Sequence, residues 1–243
     1  MNSLIFQNQS RTNNAILLNA VFLAGLLFLK IANPMAIVFA YVFETVIIGL
    51  FHGVKLFYVI RYDNKPGEIE SKFINYVSII FFFIHYGFFV AVQSLFLYTA
   101  FAINDDRFST SLSLNNFKAI FSLDGFYLVS ISIVVTHLVE FYFNFLKNKK
   151  YLNQIFGDFF AKPYLRIFMQ QFLAIVPFLF LFATNYVGII AALLLIIMRT
   201  LLDLYLNQLA RNPEKIKKLA RYLSKNKPED LEKTEKSLTT FFD

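Results

Sequence analysis

The side chains able to do chemistry in this sequence stand inside runs that are otherwise apolar. Glu44, His52 and Lys55 share one run; His85 and Gln93 share the next; His137, Glu140 and Asn144 share another. Gln170 and Gln171 fall in a fourth, and Arg199 and Asp203 in a fifth. A charge at the centre of a bilayer costs about 2.5–3.5 kcal/mol even on the most lenient scale, so such residues face a bundle interior and pair there. Helical spacing supports a common inward face. His137, Glu140 and Asn144 follow i, i+3, i+7, and Glu44 and Lys55 are eleven residues apart, which returns almost to the same angle. Arg199 and Asp203, at i and i+4, suit an intrahelical ion pair of structural rather than functional use, and Lys55 suits a side chain that snorkels to the interface.

At about 1.5 Å per residue from the nearest basic flank, His52, His85, His137 and Arg199 lie about 13 to 20 Å deep. Lys55, Glu140, Asp203 and the two glutamines lie about 6 to 12 Å deep, and Glu44 sits higher, toward the opposite side. This predicts a buried polar network of Glu44, His52, His85, His137, Glu140, Gln170, Gln171, Arg199 and Asp203 that opens toward the cytoplasm. Two metal arrangements are conceivable: His52, His85 and His137 around one ion, with Glu140 or a glutamine completing the shell, or His85 and His137 as axial ligands of a haem. The His137-x-x-Glu140 order reverses that of di-iron bundles and occurs once. An intramembrane histidine is more often a hydrogen-bonded packing residue, so no cofactor is expected. With no cysteine in the chain there is no thiolate ligand, disulfide or cysteine nucleophile, and no complete catalytic signature is present.

The elements that must position these residues are long apolar segments. Of the 243 residues 57% are hydrophobic, 32 are Phe, only 16% are charged, and mean hydropathy is +0.55. That balance excludes a soluble domain and predicts an all-α, polytopic membrane helix bundle. Six spans are expected, at about 15–31, 34–60, 73–103, 126–146, 165–183 and 186–206. Residues 1–210 would form the transmembrane domain and 211–243 a cytoplasmic basic helix and charged tail. Lys and Arg concentrate between the second and third spans (Arg61, Lys65, Lys72) and between the fourth and fifth (Lys147, Lys149, Lys150, Lys162, Arg166), which places those loops and both termini in the cytoplasm. The expected location is therefore the bacterial inner membrane. Residues 151–161 carry Leu152, Ile155, Phe156, Phe159 and Phe160 on one stripe, predicting a short helix on the membrane surface. Asn212-Pro213 opens a second amphipathic helix with an apolar stripe of Ile216, Leu219, Ala220 and Leu223. The sequence from Pro228 onward reads as a mobile tail. Lys147, Lys149, Lys150, Lys215, Lys217, Lys218 and Arg221 would meet anionic lipid headgroups, which accounts for the net charge of +7 without nucleic acid.

Several short motifs resemble one family. Tyr41-Val-Phe-Glu44-Thr-Val-Ile-Ile-Gly49-Leu-Phe51 with Val54-Lys55, Phe82-Phe-Ile-His85-Tyr86-Gly87, Thr136-His137-Leu138, Lys162-Pro163-Tyr164-Leu-Arg166 and Asp203 are similar to the bacterial membrane family catalogued as domain of unknown function 6498. The likeness covers most of residues 34–210. It departs at His52, at Gln170 or Gln171 and at Arg199, where Asn, His and Lys are expected. The resemblance implies architecture and four candidate positions, Glu44, His85, His137 and Asp203, and implies no activity. The expected function is small-solute or proton-coupled transport through the polar cluster, with Glu44 and His85 as the gating or relay pair. A non-catalytic subunit of a larger membrane complex and a haem- or metal-binding protein are the alternatives.

Overall fold

The computed structural model describes residues 2–62, 69–103, 105–154, 156–157, 159–160, 163–164, 167, 187–210, 212–224 and 228–242; side chains of 2–12, 15, 69–72, 153, 187–188, 191, 210, 228–229, 233 and 240–242 lie outside that description. The protein is all-helical, with no strand among the described residues. The helices are α1 (Asn2–Phe28), α2 (Pro34–Arg61), α3 (Ile69–Ala102), the short α4 (Leu114–Phe121), α5 (Phe126–Glu140), α6 (Val187–Ala210), α7 (Pro213–Leu223) and α8 (Pro228–Phe242). From Phe141 to Lys147 α5 continues as π-helix, and Lys150–Asn153 forms a 3-10 turn.

Among the described residues, four stretches are long and apolar enough to cross a membrane: Pro34–Arg61, Phe73–Ala102, Phe126–Lys147 and Ala192–Leu209. The first expected span behaves differently. Its helix reaches back to Asn2, yet only Ile16–Phe28 is apolar, and the chain reverses through Lys30 in a left-handed conformation (φ 57°). The expected fifth span, with Gln170 and Gln171, lies outside the described residues.

Local chemistry explains where the helices begin. Asn33 caps α2 by accepting from the Met35 amide at 2.9 Å, with Pro34 in the first turn, where its missing N–H costs nothing. Asn212 and Pro213 repeat the device at α7, the Asn212 side chain accepting from the Lys215 amide at 3.1 Å. The α1–α2 turn is tied to α5 by the Asn33 amide donating to the Asp124 carbonyl at 2.9 Å. Gly125 follows at φ +77°, where a Cβ would both strain the backbone and overlap Ala32.

Helix α2 is the central post. It packs against α3, α5 and α6, and more than half of its apolar window is buried, against less than a quarter for the other three spans. Helix α3 runs antiparallel to it: Phe39 meets Tyr98 and Phe101 near one end, and Phe57 meets Tyr76 near the other. Between them Gly49 and Gly53 let the rings of Tyr86 and Phe83 lie directly on the α2 backbone. The Tyr86 hydroxyl donates to the Thr45 carbonyl at 2.9 Å. Helix α5 runs parallel to α2, since Asp124 lies beside Asn33 at one end and Phe145 beside Tyr58 at the other. Asn207 meets Asn13 at 2.6 Å, so α6 runs antiparallel to α1 and therefore parallel to α2.

Two apolar clusters bracket the interior. One gathers Leu23, Ile37, Phe39, Phe101, Phe126 and Ile196 at the N-terminal ends of α2, α5 and α6. The other is aromatic, built on Leu56, Phe82, Tyr86, Phe145 and Phe159. Phe159, expected on a lipid-facing stripe, is instead 4% exposed and stacks on His52 at 4.8 Å. The stripe of α7 is covered in part, Leu223 staying exposed. Ile216 and Ala220 are buried, and α7 packs on both α6 and α8. The expected mobile tail is the helix α8, folded against α7 as a hairpin.

Candidate functional site

Glu44 lies on α2 between the two apolar clusters, and α5 and α6, the two helices parallel to α2, each bring a polar partner to it. The α6 guanidinium of Arg199 grips both carboxylate oxygens, Nη1 on Oε2 and Nη2 on Oε1. From α5, His137 Nε2 lies 2.9 Å from Oε1. A carboxylate clamped by a guanidinium accepts only, so Nε2 carries the proton and donates. Arg199 is completed by its own helix, Nε donating to Asp203 Oδ2 at 3.3 Å, and its guanidinium lies 4.7 Å from the centre of the Tyr41 ring. The other ring nitrogen of His137, Nδ1, is 3.8 Å from Glu140 Oε2.

Side-chain exposure falls steadily toward the centre. Glu140 is 48% exposed, Asp203 25%, Arg199 12%, His137 11% and Glu44 5%. The network therefore leads from a half-exposed carboxylate through an imidazole to a buried carboxylate. Each charged group meets an opposite charge, which is what permits ionised groups at this depth.

The depths differ from the sequence reading. Glu44 lies eleven residues beyond the Asn33 cap, and His137 and Arg199 lie twelve beyond Gly125 and Val187. All three therefore sit at one level, about 17 Å from the N-terminal ends of their helices. Measuring α2 from its basic flank misplaced Glu44 because α2, about 42 Å long, overshoots a hydrocarbon layer of about 30 Å. Its last turns pack Tyr58 and Tyr62 on Tyr151.

The expected residues thus separate into two groups. Glu44, His137, Glu140, Arg199 and Asp203 converge. The imidazole partner of Glu44 is His137, not His85. His52 and His85 belong to the aromatic cluster instead: His52 lies between Phe82 and Phe159, while His85 stacks on Phe81 and pairs through Nδ1 with the Tyr164 hydroxyl at 3.2 Å. Among the described residues no three or more His, Asp or Glu side chains form a group suited to a metal ion, so His52, His85 and His137 do not make a common ligand set. Arg199 and Asp203 do pair along their helix, yet Arg199 also bridges to α2, which i, i+4 spacing does not reveal. Tyr41 was missed as a network residue; its position three before Glu44 places it on the same face and is the signal that would have found it. The basic side chains Lys147, Lys149, Lys215, Lys217, Lys218 and Arg221 are exposed, Lys147 lying 5.4 Å from the centre of the Phe143 ring.

Neither a curated protein nor a solved structure matches the chain. A family model matches residues 3–220, a span that takes in every member of the Glu44 network, and the chain accordingly belongs to the family of unknown function DUF6498.

Proposed function

We propose that the chain crosses the bacterial inner membrane six times, with both termini cytoplasmic, and conducts protons through the Glu44 centre in a proton-coupled transport step. The Lys and Arg bias of the loops supports the topology. The observation that carries the function is His137 standing between buried Glu44 and half-exposed Glu140, one ring nitrogen toward each.

Imidazole is the one side chain here whose ordinary titration lies near neutrality. The buried set of Glu44, Asp203 and Arg199 carries two negative charges and one positive, a net of −1, so a proton on His137 brings the set to zero. Nδ1 takes a proton from Glu140, Nε2 passes its own to Glu44, and the ring is left neutral as the other tautomer. Arg199 and Tyr41 hold Glu44 in place throughout.

The test is proton flux into proteoliposomes enclosing a pH-sensitive dye under an imposed potential. His137→Phe should abolish flux, and Glu140→Gln should slow it about tenfold with no change in melting temperature, since Glu140 is exposed. Wild-type flux equal to that of protein-free vesicles, or unaltered by His137→Phe, would refute the reading.

A second reading, a non-catalytic subunit of a membrane complex, is favoured by the α7–α8 hairpin. This folds onto the end of α6 and leaves Tyr222 82% and Leu223 53% exposed beside Lys217, Lys218 and Arg221. Copurification from native membranes in mild detergent tests it, and a companion-free monomer would remove it.

A further inference from the structure

Gln93 Oε1 on α3 and Ser130 Oγ on α5 are buried, lie off the Glu44 network and have no hydrogen-bond partner among the described residues. Gln93 is 3% exposed and Ser130 8%. A buried acceptor or hydroxyl left unpaired costs about 1–3 kcal/mol, and a serine on a helix ordinarily avoids this by donating to the carbonyl four residues back. Ser78, Ser94, Thr45, Thr136 and Thr200 all do so. Ser130 does not.

Both atoms lie on the same side of Glu44 along the α2 axis. Ser130 precedes His137 by seven residues, which puts it on the same face of α5, about 10 Å nearer the N-terminal end. Gln93 lies between Tyr86, which reaches Thr45, and Tyr98, which packs on Phe39, and so is level with α2 on the N-terminal side of Glu44, near Tyr41 and Val42. The chain of polar contacts described above leads from Glu44 the other way, through His137 to Glu140.

We propose that Gln93 and Ser130 hold water inside the bundle, and that this water links the Glu44 centre to the membrane face at the N-terminal ends of α2, α5 and α6. Buried polar groups without protein partners are the usual hosts of internal water, which takes about three hydrogen bonds at such a site. The inference rests on the proton-conducting reading for its purpose, but its evidence is independent of it. Glu140 and His137 serve one face, and a hydrated Gln93 and Ser130 serve the other.

The chain has no cysteine, so a single introduced thiol reports water access directly. Gln93→Cys and Ser130→Cys should react with a small, charged, membrane-impermeant thiosulfonate at least tenfold faster than Val129→Cys, a neighbour that is 2% exposed with an apolar side chain. The faster reaction should occur from one side of the vesicle only. Equal rates at the three positions would overturn the proposal, whatever the flux assay gives. The pair Gln93→Leu with Ser130→Ala is the second arm. It should lower proton flux about tenfold while leaving the melting temperature unchanged or raised, because the unpaired atoms are gone. Undiminished flux in that folded variant would also overturn it, and absent flux in the wild type with fast thiol reaction would sink the conducting reading alone.

Discussion

Removing one partner of the Glu44–Arg199 pair should cost far more than removing both. Glu44 is 5% exposed and Arg199 12%, and breaking a buried pair on one side costs about 3–5 kcal/mol because the survivor stays desolvated. Glu44→Met falls at the lower end, about 3 kcal/mol, since Arg199 keeps Asp203 on its Nε. Arg199→Met falls at the upper end, about 5 kcal/mol, because the surviving Glu44 carboxylate retains only His137. The double variant replaces two charges by unbranched apolar side chains of similar length and should lie within about 2 kcal/mol of wild type. A thermodynamic cycle would then give a coupling of at least about 6 kcal/mol, beyond the roughly 0.5–3 kcal/mol of ordinary neighbouring residues. The assay is unfolding in mixed SDS micelles followed by far-UV circular dichroism, the chain having no tryptophan to report on it. Thermal melts should show Glu44→Met down by about 6–12 °C. Additive single and double costs would refute the claim that these two groups compensate each other.

Gly49→Ala should cost about 1–3 kcal/mol, because the new methyl overlaps the Tyr86 ring and disturbs its bond to the Thr45 carbonyl. Gly87→Ala, which meets nothing within 4 Å, should be neutral or slightly stabilising, and equal melting temperatures for the two variants would contradict the packing described. In the loop before α4, hydrogen bonds from Arg107 hold the Asp105 carboxyl below its ordinary 3.8. The folded value lies beneath the unfolded one, so this contribution is complete above pH 3.8 and is lost as pH falls through the folded value. Hydrogen exchange in residues 105–113, corrected for intrinsic acid dependence, should stay level from pH 7 to about 5 and accelerate below about 3.8, while Asp105→Asn should lack that acid step.

Much of the fold was legible because lipid imposes length and apolarity, and caps announce themselves. Asn33-Pro34 and Asn212-Pro213 begin helices for reasons visible in two residues, and the runs around Glu44, His85, His137 and Arg199 become α2, α3, α5 and α6. The site was half legible. Spacing shows that Glu44, His137 and Arg199 each occupy an inward face, but a face carries no record of which neighbour it meets. On the sequence alone Glu44 is accordingly paired with His85, where the fold supplies His137. Depth misled for a related reason: the flank of α2 lies beyond the apolar layer, packed on Tyr151, and its distance to Glu44 is no guide to the hydrocarbon boundary. Phe159 and the stripe of α7 looked like membrane anchors because amphipathicity is the same whether the apolar side meets lipid or protein. The tail looked mobile because its charges alternate, yet Pro228 opens a helix whose partner, α7, is supplied by the fold.

The common direction of α2, α5 and α6 has an electrical consequence. Peptide dipoles in a helix add to about half an elementary charge at each end, positive at the N-terminus. Three aligned helices therefore bring three negative ends to one face of the bundle, and α1 and α3, running the other way, offset only part of this. Arg61 lies in the last turn of α2 and Lys147 in the last turn of the π-helical extension of α5, each against one of those ends. These cations neutralise the carbonyl termini gathered there, so exchanging them for neutral residues should fray the helix ends.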